Sequence, residues 1–244
     1  MEVHAPEHVI HSRREFLVHM VAITLGLLIA VGIDQSVEYL HHRHQRHELE
    51  ENMRDEAGRN VEILSRHFEV NIPNLLWYRS VLKAAQATKP DGGYYDITLP
   101  PPAHDSSNKV MTSPERTVFP VAQSTGSLAL LPETEAQAYA MVDFQSAEDA
   151  KDVDGIRAAA AELDRFDLKI GTKILPGEKL HLTPAQRDEF VAALAGYAQQ
   201  LYTLLHRDNL FYSECEGIVN GIQDEQSLRE WLGTHPLIMD KYRN

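Results

Sequence analysis

The sequence predicts an all-α protein in which an N-terminal transmembrane helix continues into a helical-bundle extramembrane domain. Three observations predict it. Residues 16–33 form an apolar run without Asp, Glu, Lys or Arg, close to the length that crosses a bilayer at ~1.5 Å of rise per residue. Apolar residues then recur at three- and four-residue spacing through most of the chain, the period of an amphipathic helix. No alternation of strand and helix patterns marks an α/β fold.

Residues 1–15 read as a short N-terminal arm. It holds His4, His8 and His11 at helical spacing, and Arg13 and Arg14 next to the apolar run. Residues 16–33 read as the transmembrane helix, at the short end of the usual ~17–25 residues. His19 sits near one edge, and Arg14 is close enough to snorkel to the interface. A cleaved signal peptide competes with this reading: Arg13 and Arg14 resemble a basic leader, and Ala30-Val31-Gly32 has the small-x-small form of a cleavage site. The apolar core exceeds the ~7–15 residues of such leaders, which favours an uncleaved anchor. Orientation follows from charge. Arg43 and Arg46 beyond the run nearly cancel the arginines before it. Arg13 and Arg14 abut the run directly, whereas Asp34 and Glu38 lie at its far end, so the N-terminus is expected inside the cell and the body outside the membrane. Ala22, Gly26 and Ala30 form a small-xxx-small ladder that suits close packing of a partner helix.

Residues 34–88 read as a stalk helix. Val37, Leu40, Leu49, Met53, Ala57, Val61, Leu64, Phe68 and Ile72 make one apolar stripe. Glu48, Glu50, Glu51, Arg54, Asp55, Glu56 and Arg59 fall on the other faces. Asn71-Ile72-Pro73-Asn74 is expected to kink or break the helix, because proline removes a hydrogen bond and crowds the preceding turn. Residues 89–116 are rich in Pro, Gly, Asp and Ser and read as a long loop with a short extended piece at 94–99. Pro100, Pro101 and Pro102 favour polyproline II, as a stiff connector or a docking strip.

Residues 117–244 read as the remainder of the helical body, packed on the stalk. A helix, a turn at 124–127 and a second helix opening at Pro132 occupy 117–145. A separate helix is expected over 147–171. Thr183-Pro184-Ala185-Gln186 is a capping box that opens a long helix reaching about Val219. A short helix follows at 225–232.

The segment EFLVHMVAITLGLLIAVGIDQSVEYLHHRHQ, with its charged continuation, and the later AQSTGSLALLPETEAQAYAMVD resemble a group of bacterial single-pass membrane proteins. These share a short arm, an anchor and a helical body, and have no assigned activity. The likeness covers roughly two thirds of the chain by layout. It strengthens this architecture and carries over no catalytic residue; with the orientation expected from charge, the location is a bacterial inner membrane with the N-terminus cytoplasmic and the body periplasmic.

The formal net charge is −13, almost all of it beyond residue 47. Such a body repels phosphate backbones, so nucleic acid is not an expected partner. The lone cysteine, Cys215, allows no internal disulfide. Its neighbours Glu214 and Glu216 would raise the thiol pKa, against a nucleophilic role. His41, His44 and His47 have i,i+3 spacing and could offer imidazoles to a metal, or simply form a titratable belt at the interface. His19 could ligate a haem or a pigment, bond to a partner, or lie among headgroups. No metal or cofactor is expected. The phosphate-loop, zinc-protease and serine-hydrolase motifs are absent, so the chain is not expected to be an enzyme. The expected role is an accessory or scaffolding subunit of a larger bacterial membrane complex, of respiratory or photosynthetic type. Its partners would be other membrane subunits and the lipid bilayer. The alternative is a periplasmic ligand-sensing helical module that acts through a partner.

Overall fold

A computed structural model of the chain describes residues 13–101, 112–235 and 238. Among them are five α-helices, a 3-10 turn and one two-stranded sheet. The fold is all-α. Two compact units divide within the first helix, α1 (Arg13–Ala87), between Glu48 and Leu49.

In the first unit, the apolar side chains from Phe16 to Ile33 are exposed all round the helix. An 18-residue window here has a mean hydropathy of 2.5 and is 0% buried within the protein. A core helix of that hydropathy would be covered. This part of α1 is long and apolar enough to cross a membrane. Its hydroxyls turn back on the helix: Thr24 donates to the Met20 carbonyl at 2.8 Å and Ser36 to the Gly32 carbonyl at 2.7 Å. Neither leaves an unpaired polar group toward an apolar surround.

In the second unit, α1 buries Leu49, Met53, Ala57, Leu64, Phe68, Ile72 and Leu75 along one stripe. The helix runs through Pro73 to Ala87 without a break. Interior proline disfavours a helix by about 3 kcal/mol, but Ile72, Leu75, Tyr78 and Val81 are buried on both sides of it. Tertiary packing outweighs the local penalty. The last turn of α1 has no basic residue. Its cap is borrowed from elsewhere: Nε and Nη2 of Arg187 each donate to the Ala85 carbonyl at 3.3 Å, which places a cation at the negative end of the helix.

The Pro/Gly-rich stretch contains β1 (Tyr95–Thr98), paired antiparallel with β2 (Lys179–Leu182). Ile97, Leu180 and Leu182 point inward, while Asp96 and His181 lie opposite each other outside, as the two-residue period demands. Trp77 Nε1 donates to the Pro100 carbonyl at 3.0 Å and pins the strand's exit to α1. The strand partner over 179–182 was not foreseen, because four residues between a turn and a helix cap carry too little pattern.

α2 (Val118–Thr125) leads through a 3-10 turn (Ser127–Leu130) to α3 (Glu133–Ile170). α3 is one helix of 38 residues, where the sequence suggested two. Ser146, near the suggested junction, is buried and lies 3.5 Å from the Glu115 carbonyl. It serves a neighbouring segment instead of capping a new helix. α4 (Pro184–Val219) opens on the expected capping box: Thr183 Oγ1 accepts from the Gln186 N–H, and the Gln186 side chain accepts from the Thr183 N–H at 2.9 Å. α5 (Glu225–Thr234) is capped by Asp224, which accepts from the Ser227 N–H at 2.9 Å. α3 packs along α4, with Phe166 stacked on Phe190 at 5.4 Å. Tyr197 of α4 meets Tyr78 of α1 edge-on at 4.6 Å.

Candidate functional site

Three helices each place an ionisable residue on an otherwise apolar face. On α1, His67 falls between Leu64 and Phe68 of the buried stripe. On α3, Asp149 stands about one turn before Val153 and about two before Ile156. On α4, Asp208 lies between Leu204 and Phe211. All three have zero exposure. The fold brings them together: His67 Nδ1 is 3.0 Å from Asp208 Oδ2, and Asp149 is near enough to act electrostatically on His67 and to feel the Asp208 carboxyl.

The electrostatics of this junction follow from burial. Removal from water pushes the Asp149 carboxyl up to about 9, with the neighbouring Asp208 adding to the rise and His67 opposing it. Burial pushes Asp208 up to about 7, and the neighbouring Asp149 pulls the other way. Burial lowers His67 below its ordinary value, against the pull of Asp149 and of the Thr112 carbonyl. Every shift favours the uncharged form, as desolvation requires. Neither oxygen of Asp149 has a hydrogen-bond partner among the described residues. The arrangement is therefore a bonded pair, with Asp208 accepting from the imidazole N–H of His67, beside a buried carboxyl, Asp149, that burial holds toward its neutral form.

The nearby guanidinium of Arg207 is committed elsewhere. It pairs with Asp152 at 2.5 Å and with Glu148 at 3.1 Å, and Lys151 also pairs with Glu148. Further along α4, Glu214 is buried and raised to about 8 by desolvation, with Arg229 opposing. Cys215 is fully buried, and its thiol is pushed well above the ordinary value. Burial is the first cause, then Glu214, then Glu56 from α1. The sequence had pointed to Glu214 and Glu216 alone.

Glu56, which the sequence places off the apolar stripe, is buried. Its Oε2 accepts from the N–H groups of Thr117 at 2.8 Å and Val118 at 2.9 Å, and so caps α2, whose Thr117 gives no side-chain cap. Asn60 exchanges two bonds with the Glu115 backbone, at 3.0 and 2.7 Å. Arg116 grips Asp143 of α3 with two bonds, at 2.7 and 2.9 Å. The crevice behind this clamp, lined by Met53, Phe119, Tyr139 and Phe211, has a volume of about 20 Å³, room for about one water.

The residues singled out by sequence lie elsewhere. Ala22, Gly26 and Ala30 share one exposed face of α1, and a Cβ on Gly26 would meet nothing within 4 Å. His19, His41, His44 and His47 are exposed. His41 and His42 have ring centroids 6.4 Å apart. Among the described residues, no group of three or more His, Cys, Asp or Glu is placed to hold a metal. His4, His8 and His11 lie outside the described residues. The buried junction was missed, although an acid or histidine at a core position of three helical stripes was a signal that could have found it.

Fold and junction together define an α-helical protein that has, among the described residues, one helix long and apolar enough to cross a membrane and an ionisable cluster inside its bundle. No protein-family model, curated protein or solved structure matches the chain.

Proposed function

We propose that the chain is a non-catalytic, single-pass protein of a bacterial inner membrane, acting as an accessory or scaffolding subunit of a larger membrane complex. One observation carries this reading. The apolar window of α1 is 0% buried among the described residues, and it belongs to the same helix that supplies core residues Leu49 to Ala85 of the body. Lipid and a partner helix are the two surrounds that satisfy such a surface. The ladder Ala22, Gly26 and Ala30 supports the partner helix, since small residues let backbones approach closely. Arg13 and Arg14 support a cytoplasmic N-terminus and a periplasmic body.

The test is extraction of native membranes in mild detergent, followed by size analysis, mass spectrometry and an absorption spectrum of the fraction holding the chain. Migration with a large assembly is expected, and a haem or pigment spectrum would identify a respiratory or photosynthetic host. Migration near the size of one or two chains would overturn the subunit reading and move the search to ligands of the periplasmic body.

A further inference from the structure

We propose that a groove along Leu17, Val18, Val21, Ala22 and Leu25 of α1 takes an acyl chain of one anionic phospholipid, whose phosphate is held by Arg14. The inference rests on the membrane reading above and names a ligand for that segment. On a helix, residues 14, 18 and 22 follow one i+4 row and residues 17, 21 and 25 the next, so their side chains form two adjacent ridges. Between the ridges runs a groove of about 460 Å³ lined by those six residues. The short side chain of Ala22 ends the first ridge and keeps the groove open past Val18. All six are exposed among the described residues.

Length and charge select the occupant. From Arg14 to Leu25 the helix rises about 16 Å, at ~1.5 Å per residue. The hydrocarbon core is ~30 Å thick, so the groove is one leaflet deep. That is the reach of one lipid, whose chains start at the headgroup and stop at the midplane. A partner helix follows the whole span instead, and the ladder of Ala22, Gly26 and Ala30 leads out of the groove toward the far leaflet. Five of the six lining side chains are apolar and offer contact along an acyl chain. The sixth, Arg14, lies at the headgroup end, next to Arg13. These two arginines exceed the one acid beside them, Glu15, in a chain whose net charge is −13. A guanidinium binds a phosphate through two parallel hydrogen bonds. A zwitterionic headgroup brings its own ammonium against the arginines, and an anionic headgroup does not. Charge complementarity therefore favours an anionic phospholipid, and the cytoplasmic leaflet, where these arginines are expected, carries such lipids.

Native mass spectrometry of the full chain in a neutral detergent tests the site, with dioleoylphosphatidylglycerol or dioleoylphosphatidylcholine added. The two probes share their acyl chains and differ in headgroup charge. One phosphatidylglycerol should stay bound under activation that strips phosphatidylcholine. Arg14→Gln should weaken phosphatidylglycerol binding about fivefold, the share of one cation near an anionic surface, and bring the two lipids level. Ala22→Leu keeps the charge and the apolar character but fills the groove, so it should weaken phosphatidylglycerol binding with Arg14 in place. Both positions are exposed, so neither variant disturbs the core of the body. Equal retention of the two lipids by the wild-type chain, or unchanged phosphatidylglycerol binding in either variant, overturns the site. A co-purifying subunit together with no lipid uptake means that a partner helix fills the groove, and also overturns it. Recovery of the chain in the soluble fraction of cells overturns the membrane reading, and the site with it. A chain extracted from membranes that shows no preference between the lipids overturns the site alone.

Discussion

Single residues in this chain do work for elements far from them in sequence. Glu56 is the clearest case. Its carboxylate takes the two N–H groups that open α2, where helix donors have no partner of their own. Glu56→Ala removes that cap and leaves the donors facing a nearly dry crevice. A loss of about 1–2 kcal/mol is expected, read as a lower denaturant midpoint with unchanged m. No loss would show that water replaces the cap at no cost. Cys215 gives a second expectation at this scale. Its thiol is buried and held well above its ordinary pKa by desolvation and the nearby Glu214, so the nucleophilic thiolate is scarce. A thiol reagent at pH 8 should label the native chain far more slowly than the denatured chain. Equal rates would show that the Cys215 face of α4 is open.

At the scale of elements, close approach replaces side-chain bulk where α5 meets α4. A Cβ on Gly217 would lie 2.5 Å from Cδ1 of Leu228 and 3.3 Å from the Trp231 ring, and Leu228 is fully buried. Gly217→Val should displace α5 at a cost of about 1–3 kcal/mol, with a change in Trp231 fluorescence. An unchanged spectrum and midpoint would mean that α5 does not seat here. The helices themselves were largely legible, because apolar stripes and the Thr183–Gln186 capping box are local signals. The continuity of α1 through Pro73 and of α3 through Ser146 was not, because packing on both sides overrides the local breaker. The sheet escaped because β1 and β2 are short and more than eighty residues apart. The buried junction escaped for a different reason. An Asp on a helix is usually solvated, and only the third dimension shows that Asp149, Asp208 and His67 share one dry point. Glu56 was misplaced for the same reason: its donors come from another segment.

The whole molecule combines an exposed apolar helix segment with a body whose interior carries several ionisable groups, and this sets an unusual dependence of stability on pH. Asp149, Asp208 and Glu214 have folded pKa values of about 9, 7 and 8, all raised by burial. The unfolded chain would release those protons near pH 4. The native state therefore binds more protons than the unfolded state above that point, and stability falls as pH rises. The contribution is full below the ordinary carboxyl range and is lost in turn through about pH 7, 8 and 9. His67, lowered by burial, acts oppositely: it takes stability away as pH falls below its unfolded value near 6.5. One histidine against three acids leaves the sign unchanged, so the denaturant midpoint should decline steadily from pH 5 to pH 9. A bundle with solvated carboxylates would instead hold a plateau over much of that range. Glu214→Gln removes one proton from the balance and should reduce the slope below pH 8 while leaving the decline toward pH 9. Adding Asp149→Asn should remove most of what remains. A wild-type midpoint that is flat from pH 5 to pH 9 would mean that water reaches these carboxyls in the native body, and that its core is wetter than the packing of α1, α3 and α4 implies.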